Sequence, residues 1–419
     1  MRPDAQKYIA LTLFAVLSIT GCENPPDAVT NTGSTDTLVA ADQFGAEVRA
    51  AVNFGDPLPG LSAGELDRFL GGLGEFQEEE TIEDGLGPVF NEASCALCHT
   101  NPVGGTNGRA ETRFGRVGRD NVFDPLASLG GSLLQDHGIG AVGGDPPTHS
   151  FSPEIVPGRA NVQTLRLTTP LFGLGLVDAV PDEAFLRLAR IERSRSARTA
   201  GRAHMVTEIR TGQLRVGRFG WKAQVPTLFQ FSGDAYLNEM GITNPEFPVE
   251  NCPNGDCAAL AFNPLPSLND DGEAVQAFDD FMTLLAPPPR GPITRLVSQG
   301  SDIFVQIGCA DCHTTTLRTG DSPVEALSNK VFHPYSDFLL HDMGRLGDGI
   351  VQGDAKGREF RTAPLWGVRT RTLLLHDGRA TTISGAIAAH GGQGRFAREL
   401  YARLSFGSRA ALVAFVKSL

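Results

Sequence analysis

Apolar residues recur at helical spacing in four stretches of this chain. Leu66, Phe69, Leu70 and Leu73 follow Ser62-x-x-Glu65, whose spacing is that of a capping box, so a helix is predicted there. Val275, Phe278, Met282 and Leu285 predict a second helix, which must stop at Pro287-Pro288-Pro289 because proline lacks the N–H and clashes with the preceding turn. Leu296, Gly300, Ile303, Phe304 and Ile307 form a third stripe, and Leu412, Val413, Phe415, Val416 and Leu419 close the chain with a fourth. The 49 Gly and 27 Pro are spread between these stretches, which predicts long ordered loops around short helices. The expected fold class is mainly α.

The chain begins differently. Arg2 and Lys7 precede an apolar run from Tyr8 to Ile19 that ends in Ile19-Thr20-Gly21-Cys22. The run is too short for a comfortable membrane span, and its small residues before a cysteine suit a lipoprotein signal peptide, 1–21, with lipidation of Cys22. An ordinary secretory signal followed by an incidental cysteine is the alternative. Either way the mature chain leaves the cytoplasm, and Glu23 after Cys22, by resemblance to sorted lipoproteins, points to the outer membrane as the anchor. Residues 22–45, rich in Asn, Asp, Thr, Pro and Ser, read as a flexible tether. What remains is long enough for two domains, expected at 46–286 and 290–419 on either side of the proline run. A net charge of −12 argues against nucleic acid as a partner and is compatible with a basic or neutral protein.

Candidate chemistry enters with Cys309-Ala310-Asp311-Cys312-His313 and its earlier copy, Cys95-Ala96-Leu97-Cys98-His99. Two thiols three positions apart, followed at once by imidazole, fit covalent haem c attachment: each thiol forms a thioether to the porphyrin and the histidine ligates iron. A thioredoxin-like redox pair or half a zinc site competes, but no βαβ pattern surrounds either copy and histidine follows directly in both. Two haem c groups are therefore expected, held by Cys95, Cys98 and His99 and by Cys309, Cys312 and His313. Attachment of this kind agrees with export to an oxidising compartment, so the expected location is the periplasm. Cys252 and Cys257 stand apart in a turn-rich loop, where a local disulfide is expected and free thiols or a metal site are the alternatives.

Helix, C-x-x-C-H, long loop and terminal helix, repeated, resemble two class I cytochrome c domains, with insertions in the N-terminal half. Further phrases are Phe123-Asp-Pro-Leu-Ala-Ser-Leu-Gly-Gly-Ser-Leu-Leu-Gln135, Gly217-Arg-Phe-Gly-Trp-Lys-Ala223, Asn238-Glu-Met-Gly-Ile-Thr243 and four more between Asp337 and Gly392: Asp337-Phe-Leu-Leu-His-Asp-Met-Gly344, Phe360-Arg-Thr-Ala-Pro-Leu-Trp-Gly367, Leu375-His-Asp-Gly-Arg-Ala380 and Ala388-Ala-His-Gly-Gly392. With these the mature chain resembles the di-haem oxidoreductase family, related to bacterial di-haem cytochrome c peroxidase and MauG-type enzymes.

The resemblance implies a peroxidase-like enzyme that takes peroxide, or dioxygen, at the N-terminal haem and relays electrons through the C-terminal one. His390 matches the position of the second haem's distal ligand, with Met343 as runner-up. No histidine matches the relatives' distal ligand beside the first haem, and His137 and His149 stay as candidates; if neither binds, that iron has an open sixth position. Glu239 matches the acid–base glutamate, Trp221 the tryptophan between the haems and Gln230 a glutamine of the same loop, against the plain alternatives of a surface glutamate and a core tryptophan. Calcium between the domains is typical of the relatives, although the residues near Arg371 and Thr372 depart from the pattern. The implied partner is a small cytochrome or cupredoxin as electron donor, or a protein side chain that is itself oxidised. A pure electron-transfer cytochrome and a haem oxygenase acting on an organic substrate are the alternative functions.

Overall fold

The computed structural model describes residues 52–419; the expected signal peptide, Cys22 and the whole of the expected tether lie outside the described residues. Helix α1 (Ala63–Gln77) begins where the Glu65 backbone N–H donates to Ser62 Oγ and the Glu65 carboxylate accepts from the Ser62 N–H at 2.7 Å, closing the capping box. After it come α2 (Cys95–Cys98), α3 (Leu174–Asp178), α4 (Asp182–Arg195), α5 (Leu228–Met240) and α6 (Glu273–Leu284). The chain then passes the proline run to α7 (Arg295–Gln306), α8 (Ile383–Ala389), α9 (Arg395–Arg403) and α10 (Phe406–Ser418).

Each C-x-x-C-H motif follows a helix that crosses another at a glycine. In α1 a Cβ at Gly72 would collide with the Ala277 carbonyl of α6, and in α7 a Cβ at Gly300 would collide with the Ala411 carbonyl of α10. Only glycine lets these backbones approach so closely. The α1–α6 crossing lies in the larger core, with Phe69, Phe76, Phe278, Phe281 and Met282 buried; Phe332, Phe338, Leu339 and Trp366, from beyond the proline run, join the same core. The α7–α10 crossing builds a second core around Phe304, Leu412, Phe415 and Leu419. Fully burying a side chain of this size is worth ~1.5–3 kcal/mol.

The structure departs from the apolar pattern in two ways. Among the described residues 36% are helical and 15% are strand, so the helices are joined by strands that the apolar stripes did not announce. Strand β1 (Ala110–Val117) pairs antiparallel with β2 (Val162–Leu167), Glu111 standing opposite Arg166. Strands β3 (His204–Thr207) and β4 (Leu214–Gly217) make a hairpin, and β5 (Leu340–Asp342) pairs with β6 (Glu359–Arg361). The apolar stripes are also rotated: Leu66, Leu70 and Leu296 are exposed at 39%, 52% and 44%, because the glycine crossings turn Phe69–Gly72–Phe76 and Val297–Gly300–Phe304 inward instead. Cys252 and Cys257 are joined in a disulfide. No helix among the described residues is long and apolar enough to cross a membrane.

Candidate functional site

The second C-x-x-C-H opens onto a cavity of about 210 Å³ whose wall includes Cys309, Cys312, His313, Met343, His376 and His390. The left-handed Gly308 (φ 82°) ends the preceding helical turn and starts the short turn Cys309–Asp311, after which the His313 N–H donates to the Cys309 carbonyl at 2.9 Å. His313 Nδ1 lies 2.9 Å from the Tyr335 carbonyl, and His390 Nδ1 lies 2.8 Å from the Ala386 carbonyl. A carbonyl only accepts, so each Nδ1 carries the proton and each Nε2 is left as a lone pair, the tautomer a metal-ligating histidine needs. Burial holds His313 down to about 4 and also lowers His390; the two rings are close enough that His390 further disfavours protonation of His313. Both imidazoles are thus neutral and ligand-ready.

The other candidates differ. His341 is buried between Asp337, 2.9 Å from its Nε2, and the Cys312 thiol, 3.5 Å from its Nδ1. His376 stacks on Phe360 at 4.2 Å, and burial holds it down to about 4. Arg371 lines the same cavity with Nε and Nη2 buried and unpartnered, and burial pushes its guanidinium down to about 10. An orphaned buried cation beside two thiols and two neutral imidazoles fits haem c, whose propionates would satisfy it.

The first C-x-x-C-H lines a second cavity of about 160 Å³. Ser94 Oγ caps α2 by accepting from the Ala96 N–H, and the His99 N–H donates to the Cys95 carbonyl at 2.9 Å. Burial pushes both Cys95 and Cys98 up to about 12 and His99 down to about 4, so the thiols and the imidazole are all uncharged. Helix α5 delivers Glu239 to this cavity. The helix ends at the left-handed Gly241 (φ 69°), and the incoming segment packs there, Gly87 N–H donating to the Met240 carbonyl and Asn91 N–H to the Glu239 carbonyl at 2.7 Å. The Asn91 amide then donates to Glu239 Oε2 at 2.7 Å. Burial, and next the neighbouring Glu111 carboxylate, push Glu239 up to about 8, so it carries a proton at neutral pH.

Glu111, Arg113 and Met240 also line this cavity. The Arg113 guanidinium donates to both Glu111 oxygens, at 2.7 and 2.9 Å. Burial alone would raise Glu111, but Arg113 outweighs it and holds the carboxyl below its usual range. Met240 stands in the phrase Asn238-Glu-Met-Gly-Ile-Thr243 but was given no role there, and Glu111 and Arg113 carried no motif: they reach the site through the register of β1 on β2, which has no local signature.

Trp221 lies in the walls of both cavities. It meets Phe360 and His376 edge-on, each at 6.2 Å, and its indole N–H is bonded to the Leu167 carbonyl. Among the sequence candidates, Trp221, Glu239 and the Cys95–His99 motif are therefore gathered at one cavity, and Trp221, the Cys309–His313 motif, His390 and Met343 at the other. Gln230 is not gathered: its Oε1 accepts from the Ile209 N–H at 2.9 Å and it lines neither cavity, whereas Gln224 of the same stretch lines the first. His137 stacks on Phe90 and pairs with Asp136, His149 stacks on Phe262, and neither lines the first cavity.

Comparison with curated proteins finds no match. Among solved structures, the chain is similar to hydrazine synthase of Kuenenia stuttgartiensis, pressurised with xenon, at 15% identity and a TM-score of 0.37, over 97% of this chain and 100% of the other. It is also similar to a MauG-like protein associated with microbial copper homeostasis, at 15% identity and a TM-score of 0.38, over 88% of this chain and 93% of the other. Residues 159–419 match the family described as "Di-haem oxidoreductase, putative peroxidase", a span that holds Trp221, Glu239, the second C-x-x-C-H and His390 but not the first motif. With more than half of its length matched, the chain belongs to this di-haem oxidoreductase family.

Proposed function

We propose that the protein is a periplasmic, lipid-anchored di-haem c oxidoreductase that reduces hydrogen peroxide, or uses it to oxidise a partner, at the N-terminal cavity. The observation that carries this reading is Trp221, which lines both cavities while Glu239 lines only the first and His390 only the second. Cys95, Cys98 and His99 would hold one haem, supplying redox iron for peroxide, and Cys309, Cys312, His313 and His390 the other, supplying a one-electron store. Peroxide cleavage needs a group that accepts a proton from one oxygen and returns it to the departing one. Glu239 suits that task because Asn91 fixes one of its oxygens and its carboxyl titrates near the working pH. Trp221 closes the wall between the cavities, excludes water from it and presents one π-system to both. The electron source would be a small cytochrome or cupredoxin, or an oxidisable protein side chain.

A second reading, an electron carrier with both irons six-coordinate, draws support from Met240, whose thioether-bearing side chain lines the first cavity. Stopped-flow reaction with peroxide, on oxidised and half-reduced protein, tests the choice. The enzyme reading expects a high-spin ferric signal, rapid peroxide turnover, and a ~10²–10⁴-fold slower reaction in Glu239→Gln with haem spectra nearly unchanged. Two low-spin haems in both redox states and no peroxide reaction would establish the carrier.

A further inference from the structure

Glu239 is not the sole carboxyl group of the first cavity, and Glu111, held by Arg113, stands beside it there. Glu239 comes from α5 and Glu111 from β1, and both line this cavity of about 160 Å³, where each carboxyl acts on the other. Two carboxylates so close inside a protein cannot both be ionised without a large repulsion, so one proton must lie between them. Their surroundings are unequal. Glu111 receives two N–H donors from Arg113, whereas Glu239 receives one neutral donor from Asn91. A bidentate guanidinium favours the ionised form far more than an amide does.

We propose that Glu111 is a positioning residue for the peroxide site: it shares one proton with Glu239, and Arg113 fixes that proton on Glu239 at rest. The inference rests on the reading of Glu239 as the proton carrier. In the proton step, Glu239 passes its proton across to Glu111 as it accepts one from peroxide, so the pair goes from one proton to two. One proton then returns from Glu239 to the departing oxygen, and the proton held by Glu111 passes back. The carboxyls end as they began and change no electrons. Other charged groups also face the pair, Arg166 across the strand from Glu111, Asp234 on α5 beside Arg113, and Glu92, Arg109 and Asp136 at the cavity wall, together with the Cys98 thiol. Asp234 is itself pushed up to about 6 by burial, so at neutral pH it is largely ionised and adds to the repulsion.

The test is an infrared pH titration of the intact di-haem protein, following the C=O stretch of protonated carboxylic acid. The difference spectrum between wild type and Glu239→Gln should hold one such band, kept through neutral pH and lost near pH 8, while the bands of other buried carboxyls such as Glu192 are common to both proteins and cancel. Glu111→Gln should move the midpoint down by at least ~1 pH unit, since the like charge is gone and Arg113 is left facing Glu239. Arg113→Gln should move it up, since the charge favouring ionisation is removed. These opposite shifts are the signature of a shared proton, and a merely structural role would produce neither. An unchanged midpoint in Glu111→Gln, or the absence of the band from wild type at neutral pH, overturns the proposal. Should Glu111→Gln fail to fold, judged by its haem spectra, Arg113→Gln decides alone, and an unmoved midpoint there overturns it. The band behaving as expected in a protein that does not react with peroxide supports the shared proton while sinking the peroxidase reading.

Discussion

The Trp221 indole N–H donates to the Leu167 carbonyl oxygen at 2.8 Å, and the residues beside these two, Lys222 and Arg166, meet on a single carboxylate. Asp348 pairs with Lys222 Nζ at 3.0 Å and with Arg166 Nη2 at 2.7 Å, and all three side chains are out of contact with solvent. Lys222 also donates to the Glu359 carbonyl at 2.6 Å and lies 4.0 Å over the Phe360 ring, itself in edge contact with Trp221. One anion therefore ties together the strand, the turn and the loop that build the wall between the cavities.

Asp348→Asn should leave two buried cations without an anion and lower the unfolding free energy by ~3–5 kcal/mol, the cost of breaking a buried pair. Denaturant unfolding measures this, and near-ultraviolet circular dichroism should show Trp221 losing its fixed setting. A loss under ~1 kcal/mol would mean that Asp348 is not the clamp.

Thioether bonds survive denaturation. The mass of the unfolded mature chain should exceed the polypeptide mass by two haems; Cys309→Ala with Cys312→Ala should leave one, and Cys95→Ala with Cys98→Ala likewise. Zinc without haem would end the cofactor assignment.

His390 and Met343 both line the second cavity, so the ligand can be assigned by redox titration. His390→Met should raise one haem potential, because a thioether is a softer and less basic ligand than imidazole, and should leave the other near its wild-type value. If both potentials stay put while Met343→Ala disturbs one, Met343 is the ligand.

Stability should fall as pH rises from about 4.5 to about 8. Glu192 is pushed up to about 8, by burial and next by Asp337, and Asp279 is pushed up to about 7 by burial. A carboxyl whose folded-state pKa is raised keeps its proton when the unfolded chain has already lost its own. Its stabilisation is therefore complete below the unfolded value, near 4.5 for Glu192, and is lost as pH climbs through about 8. Each unit in that window costs up to about 1.4 kcal/mol per group. Gln at position 192 mimics the protonated form and can still accept from the Gly201 N–H, so Glu192→Gln should melt like wild type at pH 5 and above it at pH 9. Equal melting of the two proteins at pH 9 would show that Glu192 is ionised in the folded state at no cost.

What the sequence determined by itself was local. Ser62 and Glu65 announce α1 because a capping box is closed within one turn, and both C-x-x-C-H motifs stand out because the proposed haem attachment would draw two thioethers and an iron ligand from one short stretch. Phe278 and Met282 were legible as core for the same reason, a period of 3.6 along one helix. The direction of the α1 and α7 stripes was not legible, since Gly72 and Gly300 contribute no hydrophobic signal yet set where the partner helix lies. The placement of Trp221 in two walls, the meeting of Glu239 with Glu111 and the convergence of Lys222 and Arg166 on Asp348 were decided only by tertiary structure. Each joins residues from different elements, where strand register and desolvation fix the partner, and neither leaves a pattern in any one segment of the chain.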